Sequence, residues 1–155
     1  NLKKHAKEVT LMTCMENISP EITTWEYDFE IVKDGLRKYG FDINEIQYSI
    51  EIVKKIQKAL VFIKMNSLSS GFTELEEYYF ADAFCIYIGN YLRSIYNLEW
   101  KEESEDSFIL VGENAVIDIY NKVFTYLEDE NIESDLDLLE LFNEDYAKKN
   151  GLKIR

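Results

Sequence analysis

Proline occurs once (Pro20), histidine once (His5) and cysteine twice (Cys14 and Cys85), and six glycines are scattered singly along 155 residues. Each shortage removes a class of explanation. Two cysteines are too few for a disulfide framework, and Cys85 sits in the apolar run Ala83-Phe84-Cys85-Ile86, where a buried reduced thiol is expected. His5 lies near a terminus with no Cys or Glu at ligand spacing. It therefore supports neither a His-based triad nor a zinc site, and reads as a surface residue. Isolated glycines build no phosphate loop, which disfavours nucleotide hydrolysis. Ser69-Ser70-Gly71 lacks the G-x-S-x-G pattern of a nucleophile elbow and reads as a loop. No apolar run approaches the ~20 residues of a membrane span. The N-terminus (Lys3, Lys4, Lys7, Glu8) lacks the apolar core of a signal peptide. A cytoplasmic protein with no membrane contact, no cofactor and no bound metal is the expectation.

Basic residues are also missing, but only regionally. Residues 1–101 carry 15 acidic and 12 basic side chains, whereas residues 102–146 carry 15 acidic side chains and a single lysine, Lys122. Residues 147–155 return four positive charges, and the whole chain stands at −13. A field of that sign argues against direct binding of nucleic acid or an anionic membrane and leaves a basic protein as the fitting partner.

Hydrophobic residues are plentiful at 46%, with eleven Tyr and nine Phe, so one domain spanning 1–155 has ample surface to bury. Residues 1–18 are ambiguous between helix and strand around Val9–Met15. Thr23-Thr24-Trp25-Glu26 reads as a capping box, with Ile22 and Tyr27 as its staple. Trp25, Phe29, Val32 and Leu36 then form one helical face, closed by Tyr39-Gly40. Asp42-Ile43-Asn44-Glu45 repeats the device and opens a long helix to about Met65. Ile46, Ile50, Val53, Leu60 and Ile63 line its buried face, and Lys54, Lys55, Lys58 and Lys64 fall outside it. A third helix from Thr73 is apolar almost all round between Tyr78 and Tyr96, which places it centrally; Gly89 within it implies close approach of another element.

The period then changes. Leu98–Glu102, Phe108–Val111 and Ala115–Ile119 read as three short strands, Tyr120–Leu127 as a helix, and Ser134–Asp137 as the cap of a last helix through Tyr146, closed by Asn150-Gly151. The fold class expected is α+β: a helical N-terminal part packed on a small three-stranded antiparallel meander, with two C-terminal helices.

Carboxylates are the one abundant reactive group. Asp82 lies within the apolar helix with Glu76 and Glu77 one to two turns earlier. A buried Asp there would serve as an acid or base, whereas the commoner fate is a surface position or an ion pair with Arg93 or a lysine of the second helix. Asp135-x-Asp137 resembles the start of a calcium loop but lacks its Gly and closing Glu, so a helix cap explains it. Two acidic clusters stand out. Glu102, Glu103, Glu105 and Asp106 lie on the first hairpin, and Glu128, Asp129, Glu130, Glu133, Asp135 and Asp137 lie between the last two helices. Flanking the sheet, they are placed to form one negative surface that docks a basic partner. Trp100, Phe108, Tyr120 and Tyr126 are aromatics among these charges, either anchors or core.

From residue 86 to residue 142 the chain resembles a loosely defined group of small bacterial α+β proteins. The resemblance is carried by Tyr87-Ile88-Gly89-Asn90-Tyr91-Leu92-Arg93, by Leu98-Glu99-Trp100, and by Asp118-Ile119-Tyr120-Asn121-Lys122-Val123 leading to Leu127-Glu128-Asp129. It covers little more than a third of the chain. Asp118-Ile119 stands where the group has an Asn-Pro step, and no functional residue carries across. The resemblance implies an immunity protein, a non-enzyme that neutralises a secreted toxin. Joined to the charge map, it gives an immunity or antitoxin-like protein binding a basic toxin, such as a nuclease, through its acidic surface. The alternatives are a carboxylate-dependent enzyme using Asp82 and Glu76, or an inhibitor that mimics nucleic acid.

Overall fold

The computed structural model of the chain describes residues 25–70, 75–105 and 107–155. The segment 1–18 with His5 and Cys14, the Thr23 capping box, the Thr73 helix start and Asp106 lie outside those residues. Three helices come first: α1 (Trp25–Lys38), α2 (Ile50–Ser70) and α3 (Leu75–Ile95). Strands β1 (Glu99–Ser104), β2 (Ser107–Val111) and β3 (Val116–Ile117) follow, then helix α4 (Ile119–Glu128), a 3-10 turn (Leu139–Phe142) and a short α5 (Glu144–Lys149). The class is α+β, and the sheet is an antiparallel meander in the order β1-β2-β3.

Helix α3 is the central element, as its all-round apolar character requires. Ala81 and the run from Ala83 to Gly89 are buried, with α1 packed on one side and α4 on another. Cys85 is fully buried within it. Helix α1 buries Phe29, Val32 and Leu36 and ends in a left-handed glycine: Gly40 has φ 92°, Phe41 N donates to Leu36 O and Gly40 N to Arg37 O. In the sheet Trp100 pairs with Leu110 and Leu110 with Ile117, which places these three on the inner face. Helix α4 packs against α3, α2 and β2 and so closes the core.

Four boundaries differ from the expectation. Helix α2 starts at Ile50 rather than Asp42, because the Tyr87 hydroxyl donates to Gln47 O at 2.5 Å and accepts from Ser49 N at 3.1 Å. That buried phenol holds residues 47–49 out of helix, and Ser49 Oγ then caps by accepting from Ile52 N. The same helix runs on to Ser70, through the residues expected to form a loop. Strand β3 is cut to two residues, since Asp118 accepts from Asn121 N at 2.9 Å and so starts α4 at Ile119.

The last expected helix is broken. Ser134–Asp137 is irregular, and Asn143 has extended backbone while its side chain accepts from Asp145 N, separating the 3-10 turn from α5. The chain then returns: Lys153 O accepts from Asn97 N, Tyr96 bridges Ile154, and Arg155 donates to Leu98 O, so the tail is laced onto the α3–β1 joint.

Candidate acidic interface

The loop from Asp129 to Leu138 is fastened to α2 at two points. Lys64, fully buried at 0% exposure, donates from Nζ to Tyr126 O at 2.9 Å and to Ser134 Oγ, and lies over the Tyr126 ring at 4.3 Å. Two turns earlier on the same helix, Gln57 Oε1 accepts from Leu138 N at 2.6 Å. Seven helical residues rise about 10.5 Å, and four extended residues span about 13 Å. The segment 134–138 therefore runs alongside α2 in the opposite direction. Lys64 had been expected outside the buried stripe. Instead its long apolar stem enters the core and its ammonium finds a carbonyl, a hydroxyl and a ring, the partners a buried cation requires.

Ahead of Ser134 the chain forms a tight turn built by its own side chains. Asp129 Oδ1 accepts from Asn131 N, Asn131 Oδ1 accepts from Glu133 N, and Ser134 N donates to Asn131 O. Beyond it, Asp135 Oδ1 accepts from Leu136 N, and Asp137 Oδ1 caps the 3-10 turn through Glu140 N. Leu136 and Leu138 point inward and are buried, leaving Asp135 and Asp137 exposed between and beside them. Six acids (Glu128, Asp129, Glu130, Glu133, Asp135 and Asp137) are thus exposed on one short stretch.

Five carboxylates elsewhere are paired with neighbours: Glu30 with Lys33, Glu51 with Lys54, Glu76 with Lys38, Glu99 with Arg93 and Arg155, and Glu113 with Lys153. Arg155 and then Arg93 hold the Glu99 carboxyl below its ordinary range. None of the six loop acids, and none of Glu102, Glu103 and Glu105, forms an ion pair among the described residues. The loop acids act on their surroundings instead: burial, then Asp135, raises the Tyr126 pKa, and burial, then Glu128 and Glu77, raises that of Tyr78.

The hairpin acids Glu102, Glu103 and Glu105 are also exposed, at the β1–β2 turn. They are carried by the sheet, whereas the loop acids follow from the end of α4 and the loop is fastened to α2; α4 contacts both β2 and α2. The aromatics that accompany these charges are core. Trp100, Phe108 and Phe124 gather around Tyr120 at centroid distances of 6.1–6.4 Å, and Tyr78 stacks on Phe124.

The carboxylates of α3 are arranged differently. Glu76 is exposed and paired with Lys38, Asp82 is half-buried, and six residues separate them, which on a helix turns their side chains to different sides. Arg93 pairs with Glu99 and Asn90. Glu77 is the buried member at 3% exposure, and it accepts from Asn66 Nδ2 at 2.8 Å. An open hollow lined by Asp137, Leu139, Glu140, Asn143, Asp145 and Tyr146 continues the acidic surface past the loop. No group of three or more His, Cys, Asp or Glu among the described residues is placed to hold a metal ion, and none of their helices is long and apolar enough to cross a membrane.

One feature escapes the pattern of charges. Val61, Phe62 and Met65 are exposed on α2, Phe62 by 54%, on the side that also carries Lys54 and Lys58. The signal was present in the sequence: at about 100° per residue, Phe62 falls between Lys55 and Lys58 on the helical wheel. Comparison with protein-family models, with curated proteins and with solved structures found no match to this chain.

Proposed function

We propose that this chain is an immunity or antitoxin-like protein that binds and neutralises a basic protein, such as a toxin nuclease, through its acidic surface. The observation that supports this reading is the row of six exposed carboxylates on residues 128–137, none of which forms an ion pair among the described residues. An unscreened field of one sign attracts a partner of the other and selects against like-charged competitors. Inhibition then follows by blockade, with carboxylates at 128–137 occupying the places in a basic cleft where phosphates bind.

The test begins with affinity capture from the native host's lysate at low salt, identification by mass spectrometry, and repetition at high salt. The captured protein is then purified and assayed with and without this chain. The reading requires one basic protein, released by salt, whose activity this chain suppresses. A complex indifferent to salt, or a partner whose activity is unaffected, overturns it.

A further inference from the structure

We infer that the exposed face of α2 formed by Val61, Phe62 and Met65 takes the acidic turn of a second copy of this chain, with Ile132 as the inserted side chain. Phe62 is 54% exposed, and at about 100° per residue it stands between Lys55 and Lys58, with Met65 and Lys54 next around the same arc. Lys54 is paired with Glu51, whereas Lys55 and Lys58 form no ion pair among the described residues. The apolar face is thus bordered by cations, on a chain whose net charge is −13. Its complement is an apolar side chain bordered by acids.

The chain itself carries that complement. Ile132 is 65% exposed at the tip of the self-braced turn, with Asp129, Glu130 and Glu133 exposed around it. The turn does not fold over its own α2 face. Phe62 lies about 140–160° around the helix from Gln57 and Lys64, where the loop is fastened. Ile132 stands two residues before Ser134, a reach of at most about 7 Å. A helix with its side chains is roughly 10–12 Å across, so face and turn meet only between copies. Such a contact joins two different patches. It is therefore head-to-tail, leaving a free turn at one end and a free face at the other. Repulsion between the net charges acts at long range and is largely screened at physiological ionic strength, where the Debye length is about 8 Å; pairs in contact are screened much less. Independently of the basic partner proposed above, the same turn serves both contacts, so a basic ligand is expected to compete with the second copy.

Sedimentation equilibrium of the full chain tests this, at about 0.15 M salt and over about 10–500 μM protein, a range that brackets a weak contact. The weight-average mass is expected to rise with concentration above that of one chain. Phe62→Ser with Met65→Ser, and separately Ile132→Ser, are each expected to lower the association constant about tenfold or more, the loss of one well-buried apolar side chain. Circular dichroism melts check that these exposed substitutions leave the fold intact. Mixing the two variants in equal amounts is expected to restore association that stops at two chains, since one copy still offers its turn and the other its face. Lys55→Glu with Lys58→Glu is expected to abolish association, whereas Lys101→Glu with Lys148→Glu, the same charge change placed elsewhere, leaves it within about twofold. A mass that stays at one chain throughout, association that survives either serine variant, or a mixture that fails to associate overturns the inference. Sedimentation with phosphatidylserine vesicles that the Phe62 and Met65 pair abolishes, in a chain that does not self-associate, would assign the face to an anionic membrane and overturn it as well.

Discussion

The indole of Trp100 lies directly over Gly89: a Cβ built on that glycine would sit 2.1 Å from Cζ2, and the indole Nε1 donates to Asn90 Oδ1 at 2.9 Å, one residue further along α3. The sheet is thereby locked to the central helix at a point where only hydrogen fits. Alanine is the better helix former by about 1 kcal/mol, yet overpacking a filled site costs roughly 1–3 kcal/mol. Gly89→Ala is therefore expected to lower stability in urea unfolding and to red-shift Trp100 fluorescence. A stabilised variant would mean that the indole moves aside freely.

Lys64 tests whether the loop is held by packing or by hydrogen bonds. Lys64→Ala removes the stem and both donated bonds, and is expected to cost roughly 2–5 kcal/mol. Lys64→Met keeps the volume and is expected to cost about 1–3 kcal/mol, for the Tyr126 carbonyl left unsatisfied. Equal losses in the two variants would assign the effect to hydrogen bonding alone.

Crowded loop acids repel one another, so salt and neutralisation should both stabilise the fold. Raising ionic strength is expected to raise the Tm, and Glu130→Gln with Glu133→Gln to raise it at low salt by a smaller step, since screening acts on all the exposed acids. A Tm that falls with salt would show that attractive pairs dominate.

Glu99 titrates low because Arg155 and Arg93 bond to its ionised form. A depressed carboxyl adds stability above its ordinary pKa and loses that stability as the pH falls through the lowered value. Glu99 and Arg155 are exposed and Arg93 partly so, so the contribution stays below about 1 kcal/mol. Carboxyl-detected NMR is expected to place the Glu99 midpoint under the ordinary 4.5, and Arg155→Ala to move it upward. An unmoved midpoint would show that the tail does not hold this carboxylate.

Burial is the first cause raising Tyr78, Tyr87, Tyr91, Tyr126 and Tyr146 above the ordinary value of 10. A raised phenol adds stability below its ordinary pKa and withdraws it as the pH climbs past that value. Tyrosinate absorbance is expected to rise in two stages, the second coinciding with loss of the circular dichroism signal. A single stage in the folded chain would contradict the packing described.

Elements whose signal is local were legible in the sequence. Gly40 ends α1 as its position foretold, Gly151 (φ 72°) closes α5 in the same way, and the meander lies where alternation and acidic turns placed it. What escaped depends on distant partners. Nothing near Asp42 reveals that Tyr87, some forty residues on, takes the backbone of 47–49 and defers the helix to Ser49. Nothing near Lys64 reveals that Ser134 and Tyr126 wait for its ammonium. Among the candidate site residues, Glu102, Glu103, Glu105 and the six acids of 128–137 are exposed, as short polar runs between apolar elements commonly are. From the sequence, the hairpin and loop acids are expected to form one surface, whereas the first are carried by the sheet and the loop is fastened to α2, with α4 in contact with both.

An acidic tail must be frozen out of many conformations when it binds, at roughly 1–2 kcal/mol for each backbone residue fixed. The loop that Lys64 and Gln57 tie to α2 has already met that demand during folding. Its carboxylates wait in one backbone arrangement, so a ligand would order only side-chain rotamers. The tether thus converts folding free energy into readiness, and loosening it by Gln57→Ala would be felt at the surface as slower capture and faster release before any change in charge.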